Sequence, residues 1–400
     1  TDLTYHDRYS DALDLTAQVS YVNVHSDFDV TGFPPGAFGG TFPDGVRQDL
    51  GLDEDRARAE VTALWTGLEQ HWLRAGLGGV FESSDTTEDV RNYTVRQGFP
   101  VPTGRFAERG GIDDVPIFPD EDRTIFFAYL QDEWDFAPDW SLTTGVRIDE
   151  YSDFGTTVNP RVGLVWNTAY RLTTKLLYGR AFRPPSFAER HSNGLVLGLG
   201  DPDLEPVTID MVELAFNYRA TRWRSNLSLF GYSIEDLIEL VPDPASPNGL
   251  GFINGGGQDG YGFEWELGFD ITPKLRLSGS YAYQDATVHD NNVNVRFAPK
   301  HQVYAEANWR LAPQWNLNLN VKSILDRERP AGDPRPPAGD YSLLNLTLRR
   351  EAIGKHLDVA FSVRNLLDED AREPSDSPAG IPFDIPLAGR NFYGELRFRF

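Results

Sequence analysis

Two stretches of the sequence combine phenylalanine or arginine with many glycines and prolines, which disfavour regular secondary structure. Aromatic and cationic side chains in such irregular segments are suited to ligand binding. Residues 26–45 read SDFDVTGFPPGAFGGTFPDG, so that phenylalanines alternate with turn formers. Such a segment favours an apolar, adaptable binding surface. Residues 179–206 read GRAFRPPSFAERHSNGLVLGLGDPDLEP and supply guanidinium groups. A guanidinium is a rigid donor fork that fits the oxygens of carboxylate, catecholate or phosphate groups.

The candidate ligand-binding residues are therefore aromatic or cationic side chains in predicted connections or at strand ends: Phe28, Phe33, Phe38, Arg47, Arg91, Arg105, Arg183, Arg190 and His191. Two other interpretations stay open. A connection rich in phenylalanine can pack on itself, and an arginine in an acidic connection can pair with a neighbouring Asp or Glu. Pro184 and Pro185 have an architectural role in either case, because they remove backbone donors where a strand stops pairing.

The sequence gives little support to catalysis. It contains no cysteine, and its histidines lack HExxH spacing. It also lacks a GxSxG elbow and a glycine-rich phosphate loop. We therefore predict no enzyme activity, no catalytic residue, no resident metal and no cofactor.

One acidic stretch, Gly111–Arg123, has enough carboxylates for calcium but not the spacing of an EF-hand loop. A solvated acidic loop is the favoured interpretation, and the alternative is a stretch that bridges to lipopolysaccharide through divalent cations.

Period-two alternation is the main structural signal. Near the C-terminus Phe392, Leu396 and Phe398 share one face of a strand, while Glu395 and Arg397 share the other. Segments 315–322 and 356–364 repeat this division. The runs are longer than the five to six residues that are usual in soluble sheets, and they approach the nine to eleven residues of a membrane-spanning strand.

Sixteen strands of this kind are predicted. Their expected starts are near Asp14, Ala57, His71, Arg123, Trp140, Val158, Arg171, Val207, Arg222, Tyr261, Lys274, His301, Gln314, Tyr341, Lys355 and Arg390. Residues 1–6 look like the end of an earlier strand. Tight links such as APD, RAT and TPK alternate with longer ones, including 26–56, 83–122 and 183–206.

This alternation is typical of an all-β, transmembrane, antiparallel up-and-down β-barrel in the outer membrane of a Gram-negative bacterium. It is hard to obtain from a soluble sandwich with Greek-key connections. A net charge of −23 argues against a nucleic-acid partner. The mean hydropathy of −0.41 does not oppose a barrel, because lumen-facing residues dilute the apolar ones.

Several motifs resemble those of TonB-dependent outer-membrane receptors. Arg180–Ser186 is similar to the RAFRAPS segment of that family, and Gly200–Pro206, followed by Glu213, is similar to its GNPDLKPE segment. Pro185 and Asp201 depart from the pattern, where the family has Ala and Asn. The resemblance continues through the following stretches: Gln131–Trp166, Ser233–Val241, Val363–Asp370 and Gly389–Phe400.

The resemblance implies active uptake of a scarce nutrient, most often a ferric siderophore, with energy from TonB and its partners ExbB and ExbD. Cobalamin, haem and oligosaccharide are alternative substrates. A passive porin and a soluble sugar-binding β protein are alternative functions. Such receptors have about 22 strands around a plug domain, preceded by a TonB-contacting segment, the TonB box. We therefore expect residues 1–400 to be the C-terminal portion of a receptor barrel whose plug and first strands are not in this sequence.

Overall fold

The computed structural model of the protein describes residues 1–96, 99–108, 117–193, 198–246, 249–289, 293–295, 297–329, 333–354, 356–375 and 383–398. Strands dominate this part of the chain, and one short helix, α1 (Phe187–His191), interrupts them. None of the helical residues described forms a segment long and apolar enough to cross a membrane.

The first strands in chain order are β1 (Asp2–Ser10), β2 (Leu13–Phe33), β3 (Val46–Trp65), β4 (His71–Arg96), β5 (Phe99–Glu108), β6 (Glu121–Ala137), β7 (Trp140–Tyr151), β8 (Gly155–Ala169), β9 (Leu172–Arg183), β10 (Val207–Arg219), β11 (Trp223–Glu235), β12 (Ile238–Pro242) and β13 (Leu250–Asn254). The remainder are β14 (Gln258–Thr272), β15 (Leu275–Val288), β16 (Val293–Asn294), β17 (Pro299–Ala312), β18 (Trp315–Arg327), β19 (Tyr341–Ile353), β20 (Leu357–Arg364), β21 (Arg372–Glu373), β22 (Ile385–Pro386) and β23 (Asn391–Phe398).

All sixteen predicted strands are present, and β1 is the strand end predicted at residues 1–6. The prediction was wrong about the first two long connections. Residues 26–33 and 46–56 belong to β2 and β3, and β4 continues to Arg96. Aspartate and glycine are unfavourable in strands, but continuous pairing of β2 with β3 and of β3 with β4 overrides that preference.

The chain divides into two compact units. Unit 1 contains Thr1–Val162, Gly179–Asp210 and Ile234–Gly257, and unit 2 contains the remainder of the chain. In unit 1 the strands β1, β2, β3, β4, β6 and β7 pair antiparallel in that order. In unit 2 the corresponding order is β14, β15, β17, β18, β19, β20 and β23. Up-and-down antiparallel pairing is therefore confirmed in each unit.

The two faces of the unit 1 sheet differ sharply in polarity. The outer face carries exposed apolar side chains, including Leu77 (65% exposed) and Phe126 (64%). The inner face carries Arg58, Glu60 and Tyr129, and the Tyr129 hydroxyl donates to Glu60 Oε1 at 3.0 Å. Because side chains alternate along a strand, the register assigns each residue to one of these faces.

Aromatic rings lie across glycines on this inner face. A Cβ added to Gly78 would stand 2.4 Å from the Ala59 carbonyl oxygen and 2.6 Å from Phe127 Cζ. The guanidinium groups of Arg58 and Arg147 lie 4.7 and 4.2 Å from the Phe127 ring centroid. The absence of a side chain at Gly78 thus makes room for the Phe127 ring, and the two guanidinium groups stack on that ring.

Unit 2 has the same division between its faces. Arg397 stands opposite Asp358 and pairs with Glu395 at 3.1 Å, whereas Phe398 and Phe361 point to the other, apolar face. The predicted face assignment of the last strand is therefore confirmed.

Charge pairs join two long connections of unit 2. Arg329 Nη1 donates to Asp384 Oδ1 at 2.8 Å, and Arg335 Nη2 donates to Asp333 Oδ2 at 2.6 Å. Arg335 also donates to the Ser375 carbonyl oxygen at 2.7 Å. These contacts tie the connection after β18 to the connection after β20.

Candidate functional site

On the inner face of unit 1, a row of apolar side chains follows β2 towards its C-terminal end, where the first long connection begins; we call it the apolar wall. It consists of Val22, Val24, Phe28 and Val30, which alternate along β2 and are 42–50% exposed. They lie beyond the segment where Arg58 and Glu60 make this face polar. Exposed apolar surface of this kind, concentrated where the long connections begin, indicates a site of interaction.

A cavity of about 510 Å³ lies at the foot of this wall, between β2, β3, β4 and the helix α1. We call it the wall cavity. Its apolar lining includes Val22, Val24, Leu52, Phe118 and Phe187, and its charged lining comprises Glu54, Asp55, Arg56, Glu82 and Arg123. This volume is within the range of small-molecule sites, and so is a mainly apolar lining with a few polar groups.

Two of the three predicted phenylalanines come together. The rings of Phe33 and Phe38 are 4.9 Å apart, and Phe38 is 5.9 Å from Phe42. Phe42 is buried with Val46 in a small core, so this part of the connection does pack on itself. Phe28 lies separately in the apolar wall. Phe28 and Phe33 belong to β2 and not to a loop, which corrects the predicted location.

The predicted role of Arg91 is not supported, because the side chain is buried. Arg91 is 1% exposed, and its Nε lies 3.9 Å from Oδ1 of Asp89, which is 2% exposed. Gln48 Nε2 donates to Asp89 Oδ1 at 3.4 Å, and the Ile117 amide donates to Asp89 Oδ2 at 3.2 Å. Arg91 therefore belongs to an internal polar cluster that holds β3, β4 and the segment around Ile117 together.

Arg183 pairs with a carboxylate of its own connection. Its Nη1 donates to Glu189 Oε2 at 2.9 Å. Glu189 also accepts from the Ser186 amide at 2.8 Å, and Ser186 Oγ accepts from the Glu189 amide, which forms a capping box around α1. Partial burial opposes ionisation of Glu189, but hydrogen bonds from Arg183 and Ser186 outweigh it and lower the pKa of Glu189.

Arg190 is buried and structural. It donates to the Leu204 carbonyl oxygen at 2.9 Å and to the Asp153 carbonyl oxygen at 3.0 Å. Arg123 binds the carboxylate of Asp153, with its Nη2 2.6 Å and its Nε 2.9 Å from Asp153 Oδ2. Arg123 also donates to the Pro185 carbonyl oxygen at 2.8 Å. These two arginines fasten the proline-rich connection to the β7–β8 link.

His191 is also partly buried, and its Nδ1 lies 3.5 Å from Glu121 Oε1. Burial lowers the pKa of His191, although Glu121 acts against the shift. A histidine with a lowered pKa is neutral at pH 7 and offers no positive charge to an anion.

The two remaining candidates lie on strands. Arg47 is half-buried on β3, and its guanidinium stacks 5.1 Å from the centroid of Phe106 on β5. The register places Arg47 on the opposite face from its neighbour Gln48. Arg105 is exposed on β5. The structure therefore does not bring the six predicted arginine and histidine side chains into one anion site.

Sequence reasoning missed Glu54, Phe118 and Phe187 as lining residues and Asp153 as the partner of two arginines. The sequence SFAE at 186–189 is a capping-box signature and was a usable signal for the short helix. No local signal links Asp153 to Arg190, because these residues are 37 positions apart.

The acidic stretch before β6 lies partly outside the described residues, including Asp113 and Asp114. Of its remaining carboxylates, Asp120 Oδ1 accepts from the Thr86 amide at 3.0 Å. Where the chain is described, no group of three or more His, Asp and Glu residues could hold a metal ion.

Unit 2 has a larger cavity, of about 760 Å³, at its tight-turn edge. Its cationic lining comprises Arg222, Lys274, Arg276, Arg310 and Arg349, against the acidic Asp270 and Glu351. It contains none of the predicted ligand-binding residues.

Long antiparallel strands with one apolar and one polar face, joined alternately by tight turns and long connections, define a membrane-spanning β-barrel. A family model described as "TonB dependent receptor-like, beta-barrel" matches residues 1–366. The chain therefore belongs to the TonB-dependent receptor family, and it is a β-barrel of the outer membrane of a Gram-negative bacterium. In this fold the inner face lines the barrel interior and the outer face meets lipid.

The relatives agree with this assignment. The iron-regulated outer membrane virulence protein of Vibrio cholerae serotype O1 is 31% identical in an alignment of 269 positions that covers 62% of this chain and 41% of that protein. The chain thus spans about two fifths of the length of this relative.

Two solved structures show the same fold over 100% of this chain. The copper transporter OprC has a TM-score of 0.76 at 16% identity, with 64% of that chain covered. The siderophore receptor PirA from Acinetobacter baumannii has a TM-score of 0.73 at 17% identity, with 62% covered.

Proposed function

We propose that the protein is an active transporter that takes up a ferric siderophore across the outer membrane, with energy from TonB, ExbB and ExbD. The wall cavity carries this proposal, because it is a ligand-sized, mainly apolar space on the inner face at the end of the long connections. Family membership supports it, and so does the Vibrio relative, which is named as iron-regulated. It acts in uptake and not as an enzyme.

Under this proposal residues 1–400 are the C-terminal portion of the receptor, and the plug and TonB box precede them. The 41% share of the Vibrio relative that the chain covers supports this division. We further propose that exposed aromatic side chains such as Trp134 and Trp309 anchor the outer face at the lipid boundary, beside lipopolysaccharide.

Copper is the substrate named for OprC, but the residue types of this chain do not favour it. Cu(I) prefers the soft ligands cysteine and methionine. The chain has no cysteine and one methionine.

Uptake of ⁵⁵Fe by iron-limited cells tests the proposal. A strain with the intact receptor gene as its only siderophore receptor should accumulate ⁵⁵Fe-labelled chelate, and deletion of tonB should abolish accumulation. Uptake that persists without TonB would instead support the passive porin.

A further inference from the structure

The charge of the substrate can be inferred from the wall cavity, and this inference rests on the uptake function proposed above. Two arginines line the cavity, and both already have partners. Arg56 Nε lies 3.3 Å from Glu82 Oε1, and Arg123 is held by Asp153. Of the remaining charged lining residues, Asp55 accepts hydrogen bonds from Tyr21 and Asn23, and Glu54 is exposed; neither has an ion-pair partner among the residues that the structure describes. The cavity therefore carries an excess negative charge.

Among the residues that the structure describes, no cation other than Arg56 and Arg123 lines the cavity. Arg183 is paired with Glu189, and Arg91 and Arg190 are buried in internal contacts. His191, with its lowered pKa, is neutral at pH 7. A polyanionic chelate that entered the cavity would lose hydration without gaining a free counter-charge, and this loss is costly.

The rest of the lining favours apolar contact. Phe118, Phe187 and Leu52 line the cavity, and the apolar wall continues beyond it along β2 through Phe28 and Val30. We propose that the wall cavity binds a ferric chelate of zero or positive net charge through its apolar surface, and that Glu54 makes it discriminate against polyanionic chelates.

Binding to the intact receptor in detergent tests this assignment, with quenching of tryptophan fluorescence as the readout. The two probes are a neutral ferric trihydroxamate chelate and a trianionic ferric tricatecholate chelate. The neutral chelate should bind about tenfold more tightly or better, because three negative charges on the other chelate are repelled by Glu54 at the intermediate dielectric of a protein surface. Phe118→Ala should weaken binding of the neutral chelate by about tenfold through lost apolar contact.

Glu54→Lys is the decisive variant, since it reverses the charge of an unpaired carboxylate on the inner face. It should raise the affinity for the trianionic chelate about tenfold or more. Asp53→Lys is the matched control, because Asp53 is the adjacent residue on β3 and points to the opposite face. This control should leave the preference between the chelates unchanged. Heat-modifiability on gels establishes that each variant is folded.

The outcomes separate this inference from the function on which it rests. Tighter binding of the trianionic chelate by the wild type would overturn the charge assignment but leave the receptor function intact. An equal effect of Glu54→Lys and Asp53→Lys would show that charge acts at long range and not in the cavity. Failure of both chelates to bind or to be imported would refute the siderophore function itself.

Discussion

Replacing Asp153 by Asn tests whether the proline-rich connection is held by charge. The Asp153 side chain is 15% exposed, and those of Arg123 and Arg190 are 4% and 6% exposed. Removing the carboxylate charge leaves two buried guanidinium groups without their counter-ion, a change that costs about 3–5 kcal/mol for a buried pair. Both arginines keep backbone acceptors, the carbonyl oxygens of Pro185 and Leu204, so we take the lower value, about 3 kcal/mol.

The effect should be local. A loss of about 3 kcal/mol raises the opening equilibrium of α1 roughly 100-fold, since 1.4 kcal/mol corresponds to a factor of ten. Hydrogen exchange followed by mass spectrometry should show faster exchange at the amides of Arg190 and Ser192, which donate to the carbonyl oxygens of Ser186 and Ala188.

Asp11→Asn is the control, because Asp11 belongs to a highly exposed pair with Arg8 at 3.9 Å. Such pairs contribute about 0–1 kcal/mol. Exchange in Asp153→Asn that stays within threefold of the wild type would refute the reasoning.

Three other perturbations test the fold. Gly78→Ala should lower stability by about 1–3 kcal/mol because the added Cβ has no room, whereas the Cβ in Gly179→Ala meets nothing within 4 Å and this variant should be nearly neutral. Heat-modifiability temperatures measure both variants, and equal shifts would contradict the close contact between Gly78 and the Phe127 ring. Phe361→Arg should cost about 2–4 kcal/mol if it lies near the bilayer midplane, and Ser362→Arg on the inner face should cost less; urea unfolding in lipid vesicles compares them, and the reverse order would contradict the face assignment. Hydrogen bonds from Arg335 lower the pKa of Asp333 to about 2, and hydrogen bonds from Arg329 lower that of Asp384. A carboxyl group whose pKa is lowered in the folded state stabilises the connection above its unfolded-state pKa near 4, and this stabilisation is lost as the pH falls through the folded-state pKa. Proteolysis of the connection at residues 328–340 should therefore be unchanged from pH 7 to pH 5 and should increase between about pH 4 and 2. An increase already at pH 6 would contradict this.

The strands were predictable because polarity alternates with period two over many residues. The extension of β2 and β3 beyond their predicted ends was not predictable, because the aspartates and glycines at 26–56 are locally typical of a loop. Residues 26–33 become part of a strand through pairing of β2 with β3, and residues 46–56 through pairing of β3 with both β2 and β4; such pairing is a non-local property.

The fate of the arginines was predictable in part. Residues i and i+2 share a face of a strand, so a carboxylate two positions from an arginine is a candidate partner, although Arg56 pairs with Glu82 and not with Glu54. This rule finds Asp89 for Arg91, and it also finds Glu60 for Arg58 and Asp149 for Arg147. It cannot find Asp153 for Arg190, because that contact depends on how the connection folds back.

The internal use of arginine is consistent with the proposed preference of this acidic barrel for uncharged ligands. Guanidinium groups at Arg91, Arg123 and Arg190 hold the connections in place through buried pairs and are therefore not available to a ligand. Under the proposal made here, recognition falls to the apolar wall and to the carboxylate of Glu54. Apolar contact is weakly directional and supplies affinity, whereas an unpaired charge at the cavity supplies discrimination. Such a frame would make that discrimination effective, because Arg91, Arg123 and Arg190 cannot turn towards an anion without breaking a buried contact.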